Sequence, residues 1–264
     1  MNSVFYINNL IKSLSDYEDS FIVNVFLEST TGFIALIGAG GKKSTMYALS
    51  KFVTGRVALS STTQMFDYKR AYVDRVVDLN NDDYDSLDLT NRVIAFKKQS
   101  NKSGRVAGLT DAELSKIWFS KKFDFMFCKA DGARSKLIKG PNQKEPVIPS
   151  ACDLVIPILS IKVLGERLTP QIAHRVDELC KLWKASPACI ITKEKIVKLM
   201  VSKDGFLRNL ERVKIIPLIN MVDSKKELAN GVDIAKMALN ETRSFDTVVL
   251  GSMLEGKVKK IVYR

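Results

Sequence analysis

Four cysteines occur in the 264-residue chain, and none of them forms a CxxC pair. Cys128, Cys152, Cys180 and Cys189 match no zinc-finger spacing, which argues against a structural zinc module. They read as free thiols in a reducing compartment rather than as a disulfide framework. No stretch approaches the roughly 20 consecutive apolar residues that span a bilayer. The opening MNSVFYINNLIKSL lacks a basic segment followed by a long apolar core, so no export signal is read there. A soluble, cytoplasmic protein is expected, with no membrane contact. No internal repeat or low-complexity segment is visible. No proline precedes Pro141, and histidine occurs once, as His174.

Positive charge is abundant. Lys and Arg total 41 against 29 Asp and Glu, a formal net charge of +12. Such a balance favours polyanionic partners, whether phosphates, nucleic acid or an anionic protein, and does not choose among them. Hydrophobic residues make up 46%, which argues against disorder.

Strand-like and helix-like patterns alternate along the chain. Residues 1–30 read as a short amphipathic helix and a lead-in strand. Phe33 to Ile37 is an unbroken apolar run, suited to a strand buried on both faces. A helix follows over about Ser44 to Phe52. Further strands are expected at Val57–Leu59, Val93–Phe96, Phe123–Cys128, Asp153–Ile156, Val213–Ile219 and Thr247–Leu250, the last expected to end the core. Thr110–Glu113 and Ser224–Glu227 have the form of helix-capping boxes. Thr169-Pro170 is expected to open a helix with Ile172, Val176, Leu179 and Trp183 as its buried stripe. Prolines cluster from Pro141, so about 132–152 reads as an ordered but irregular excursion. The pattern predicts an α/β fold over a single domain, 1–264, with a mostly parallel sheet and helices on both faces.

The strongest chemical signal is Gly38-Ala39-Gly40-Gly41-Lys42-Lys43-Ser44-Thr45. It lies between a buried strand and a helix, as a phosphate-binding loop requires. Glycines let backbone N–H groups turn toward one centre, and the helix N-terminus adds partial positive charge. Lys42 would neutralise outer phosphates. The turn is the short GxxGK form, since Leu36 stands where the longer motif has glycine. Lys43 occupies the usual hydroxyl position, so Mg²⁺ would be held by Ser44 or Thr45. Asp131, after the strand ending at Cys128, is the expected carboxylate partner of that metal. Thr62 and Thr63 lie after another strand and could bond phosphate or metal-bound water. Arg134 and His174 with Arg175 are further candidates near the reacting phosphate. Asn220-Met221-Val222-Asp223 is similar to a guanine-reading NKxD turn, with Met221 in place of Lys, although a plain strand-end turn explains it as well.

Several segments occur together in one order: GAGGKKST, SSTTQMF, KADGARSKLIKGPNQKEPVIP, TPQIAHR and PLINMVD. Over roughly residues 30–225 this order resembles the YqeC family, accessory proteins of selenium-dependent molybdenum hydroxylases. The segment Ala130–Pro149 is its most specific part. The resemblance implies a P-loop NTPase-like three-layer sandwich and a role in hydroxylase maturation, with a molybdenum hydroxylase or its cofactor-maturation proteins as partners. Positions matching the family are Gly38, Gly40, Gly41, Lys42, Thr62, Thr63, Asp131, Gly132, Arg134, Glu145, Pro146, His174, Arg175, Asn220 and Asp223. Three positions depart from it: Lys43 replaces a Thr, Lys129 an acidic residue and Gln64 a His. The expectation is a protein that binds ATP or GTP with Mg²⁺, in which Lys42, Asp131, Arg134, His174 and Arg175 would carry any hydrolysis. Two rivals stand beside it: an ATP-dependent phosphotransferase or ligase, suggested by the short GxxGK turn, and a basic nucleic-acid-binding protein. Nothing but net charge supports the second.

Overall fold

A computed structural model describes residues 31–264, apart from 83, 85–87, 89 and 121, together with Phe26. The helix and strand expected over 1–30 lie outside the described residues. The first strand is β1 (Gly32–Gly38), buried at every position. It is flanked by β7 (Phe125–Lys129) and β9 (Leu154–Ser160), both parallel to it and also fully buried. Beyond β7 come β2 (Val57–Ser61) and β5 (Val93–Gln99). Beyond β9 come β12 (Leu218–Asn220) and β13 (Thr247–Ser252). All these neighbours are parallel, as near-continuous apolar runs require when both faces are covered. Short β4 (Arg75–Asp78) and β11 (Lys214–Ile215) pair in parallel with β5 and β9. Antiparallel pieces finish both edges: β3 (Met65–Phe66) and β6 (Arg105–Ala107) at one, β14 (Lys257–Tyr263) at the other.

Helices cover both faces, giving three layers. On β1, Ile34 and Leu36 face the helix α1 (Lys42–Phe52), whose Met46 and Leu49 are fully buried. Phe33 packs with Leu114 and Ile117 of α2 (Asp111–Phe119) on the opposite face. Ala35 and Ile37 share that face with α3 (Val176–Trp183), α4 (Lys193–Val201) and α5 (Lys225–Glu241). This alternation follows from the period of two along a strand. Both expected capping boxes are present: Thr110 with Glu113, and Ser224 with Glu227.

The structure corrects the sequence reading in several places. The late strand is broken into β11 and β12 around Pro217, and β9 has no ladder partner on that side between Val155 and Ile158, where Pro157 sits. Two prolines without N–H donors thus share one gap in the ladder. Thr169-Pro170 opens only a turn, and the helix starts at Val176. Ala173 and His174 instead form β10, in register with Ile138 and Lys139 of β8. Their main chain is committed to that pairing, so the helix cannot begin there. β13 is the last strand buried along nearly all its length, as expected, and β14 adds a mostly exposed antiparallel edge beyond it. α4 carries no counterpart in the sequence reading.

The chain leaves β1 toward β2 and β5 on one side, returns through β7, and then crosses to β9, β12 and β13 on the other. The carboxyl end of β1 therefore sits at the reversal of strand order, where open parallel sheets form a ligand crevice.

Candidate functional site

The glycine turn closes β1 and starts α1. Gly40 has φ 83 and Gly41 φ 122, in the region that disfavours side chains. A Cβ on Gly40 would stand 2.6 Å from the Ser160 amide nitrogen. The amides of Ala39 and Gly40 donate to the carbonyls of Ile158 (2.8 Å) and Lys136 (3.0 Å), and the Gly38 amide donates to Asp131 Oδ2 at 2.8 Å. The first half of the turn is thereby consumed within the protein. From Gly41 onward the situation differs. The first-turn amides of α1 have no partner within the helix, no side chain caps them, and the first turn holds no acidic residue. The contrast with the capped, acidic starts of α2 and α5 is direct. An uncapped helix start with its positive dipole end exposed suits an anion.

That helix start opens onto a cleft of ≈ 880 Å³. Its lining carries five lysines and three arginines against one carboxylate, Glu145, among the described residues. Of the residues expected from sequence, Gly40, Gly41, Lys42, Lys43, Ser44, Arg134, His174 and Arg175 meet there. Gly38, Ala39, Thr45, Thr62, Thr63, Asp131, Asn220 and Asp223 do not line it.

Behind the cleft runs a string of alternating charges. Lys42 Nζ lies 2.9 Å from Asp131 Oδ1, a contact more ionic than well-angled, and also donates to the Gly38 carbonyl. Lys139 Nζ reaches Asp131 Oδ2 at 2.8 Å and Glu145 Oε2 at 2.7 Å. Arg175 Nη2 closes the string on Glu145 Oε2 at 2.7 Å, and its Nη1 is buried without a partner among the described residues. Burial drives the Asp131 carboxyl up, but Lys42 and Lys139 outweigh it and hold the group below the usual range. Glu145 is likewise lowered, burial being outweighed by Lys139 and Arg175. Burial lowers Lys42 against the pull of Asp131. Lys129, at the end of β7, is lowered to about 7 by burial and then by Lys42, and its Nζ donates to Thr63 Oγ1 at 2.8 Å. His174 is lowered to about 4 by burial and the Arg175 charge, so it is neutral at neutral pH.

The other sequence candidates have structural duties. Thr62 Oγ1 donates to the Val147 carbonyl at 3.0 Å and pins the excursion. Asn220 Nδ2 donates to the Gly40 carbonyl at 2.8 Å, and Asn220 Oδ1 accepts from the Met253 amide at 2.9 Å. Asp223 pairs with Lys162 at 3.0 Å and accepts from Ser252 at 2.8 Å. Sequence reasoning missed Lys139, which is 2% exposed and central to the charge string. It also missed Phe66, which is 51% exposed, lines the cleft, and carries the Arg105 guanidinium 4.3 Å from its ring centroid.

The expected Mg²⁺ ligands, Ser44 and Asp131, fit a divalent cation poorly. Both Asp131 oxygens already face ammonium groups. Thr45 Oγ1 is turned back onto the Gly41 carbonyl at 3.0 Å. Of the expected ligands, Ser44 is the one left to offer a hydroxyl to the cleft. No group of three or more His, Cys, Asp or Glu side chains able to hold a metal occurs among the described residues. No helix among them is long and apolar enough to cross a membrane.

Comparison with known proteins gives two findings. The family model described as YqeC protein matches residues 34–177, more than half of the chain. A protein of Escherichia coli (strain K12), Uncharacterized protein YqeC, is 23% identical over 204 residues, which cover 76% of this chain and 79% of that protein. The matched span contains the glycine turn, Asp131, the excursion and Arg175.

Proposed function

The chain belongs to the YqeC family, and from that premise we propose that it is an accessory protein of selenium-dependent molybdenum hydroxylase maturation that binds a polyphosphate-bearing nucleotide, ATP or GTP, in the cationic cleft. One observation carries the reading: an uncapped helix start and eight Lys and Arg side chains converge on a space whose lining holds one described carboxylate. The phosphates would lie against the first-turn amides of α1, with Lys42, Lys43 and Arg175 as counter-charges. Phe66 offers an exposed ring for the base, with the Arg105 guanidinium against it. His174, neutral, can hydrogen-bond a ligand without adding charge. The excursion 132–152 contributes Arg134, Lys136 and Glu145 to the lining, so a ligand there would bear on a segment able to face a partner protein. The partner, a molybdenum hydroxylase or its maturation machinery, follows from the family resemblance and not from the cleft.

Calorimetry with ATP, GTP and inorganic tripolyphosphate tests the reading. Saturable binding of at least one of them is expected, weakened by Lys43→Ala, a half-exposed site whose loss leaves the buried charge string intact. Absence of binding by all three at millimolar concentration rejects it.

A further inference from the structure

We propose that the cleft takes its polyphosphate ligand as a metal-free anion, with lysine ammonium groups standing where a divalent cation would be held. This rests on the reading of the cleft as a phosphate site. P-loop proteins bind Mg²⁺ through the hydroxyl that follows the loop lysine and through a carboxylate on a neighbouring strand. Here the residue after Lys42 is Lys43, which lines the cleft and whose Nζ donates to the carbonyls of Phe66 (3.2 Å) and Asp67 (2.8 Å). The neighbouring strand β7 ends in Lys129, which lines the cleft too. The carboxylate that follows, Asp131, has Lys42 on one oxygen and Lys139 on the other.

A cation entering beside Asp131 would meet two ammonium groups within 3 Å of that carboxylate, with Lys129 close enough to shift in response to Lys42. The repulsion is strong in a buried setting, because little water screens it. Neutralisation of phosphate charge falls to the side chains instead. Lysine serves this as a point charge, with no demand for octahedral geometry.

The experiment is titration of tripolyphosphate and of ATP into the full chain, once with millimolar Mg²⁺ and once with EDTA. The inference expects binding in EDTA at least as tight as with Mg²⁺, because metal on the ligand only removes charge from it. Tightening by Mg²⁺ of about tenfold or more, equivalent to about 1.4 kcal/mol, overturns it and leaves the phosphate site standing. Binding under neither condition overturns the functional reading, and this inference with it. A second measurement uses Lys43→Thr combined with Lys129→Asp, checked for folding by circular dichroism. That variant should lose binding in EDTA and regain it with Mg²⁺. Wild-type affinity of the folded variant in EDTA would show that the two lysines do not stand in for a metal.

Discussion

Asn220 holds the glycine turn from behind: its amide donates to the Gly40 carbonyl at 2.8 Å while its carbonyl oxygen accepts from the Met253 amide at 2.9 Å. The side chain is 2% exposed, so each of these groups would be stranded if it were removed. Asn220→Ala is therefore expected to destabilise the protein by about 1–3 kcal/mol. Urea unfolding measures the loss. Polyphosphate affinity should fall as well, because the turn loses the restraint that sets its shape. Unchanged stability would mean that water replaces the amide at no cost.

Lys139 holds two carboxylates at once, and its removal leaves both under-compensated. Lys139→Met should cost about 3–5 kcal/mol, the range for breaking a buried pair. Adding Glu145→Gln removes one stranded charge, so the double variant should be less unstable than the two single losses added together. Denaturation of all four chains in the cycle gives the coupling directly. Simple additivity would deny the string its shared cation.

The Lys129 ammonium supplies a pH dependence. Its folded pKa of about 7 lies below its ordinary value of 10.5. Between those values the unfolded chain keeps a proton that the folded chain has released, so the penalty on the fold builds as pH falls from 10.5 to about 7 and is complete below. A bound polyanion favours the charged form. Polyphosphate binding at about pH 8 should thus take up protons, and affinity should weaken as pH rises above about 7. Calorimetry in buffers of different ionisation enthalpy reads the uptake. Proton release, or none, would place the ligand away from Lys129.

On the proposed reading, Phe66 would carry the base while the lysines carry the phosphates. Phe66→Ala should weaken ATP or GTP by about 1–3 kcal/mol while leaving tripolyphosphate unchanged. Equal weakening of both ligands would instead mark a general distortion of the β3 edge. No effect on either would leave the heterocycle elsewhere in the cleft.

Much of the fold was legible because local signals agreed with the tertiary ones. The run Phe33–Ile37 is apolar throughout and became a strand covered on both faces. Thr110 with Glu113, and Ser224 with Glu227, close helix starts by short-range hydrogen bonds that need no tertiary context. Where a distant segment decided, the reading failed. Ile172, Val176 and Leu179 keep helical spacing, but Ala173 and His174 are claimed by Ile138 and Lys139, 35 residues earlier in the registers of β8 and β10. The glycine turn stands out in the sequence as a strand-to-helix turn, yet the commitment of its first amides to Ile158, Lys136 and Asp131 depends on strands and loops far along the chain. Nothing in the sequence sets Lys139 apart from the other lysines. Only the folding of the excursion over Asp131 makes it a buried cation. Thr62 and Asn220 stand at strand ends, where polar residues serve ligands and plain turns alike, and both spend hydrogen bonds on the main chain.

The charge string also makes Lys42 and Arg175 rivals. A phosphate that draws Lys42 away leaves Asp131 to pull harder on Lys139. Glu145, losing its share of Lys139, then grips Arg175 more firmly, and the same trade runs in reverse. By reciprocity, each end that yields to a visitor stiffens the other. The two cations should behave as alternating hands, so their separate contributions to affinity will overlap rather than add.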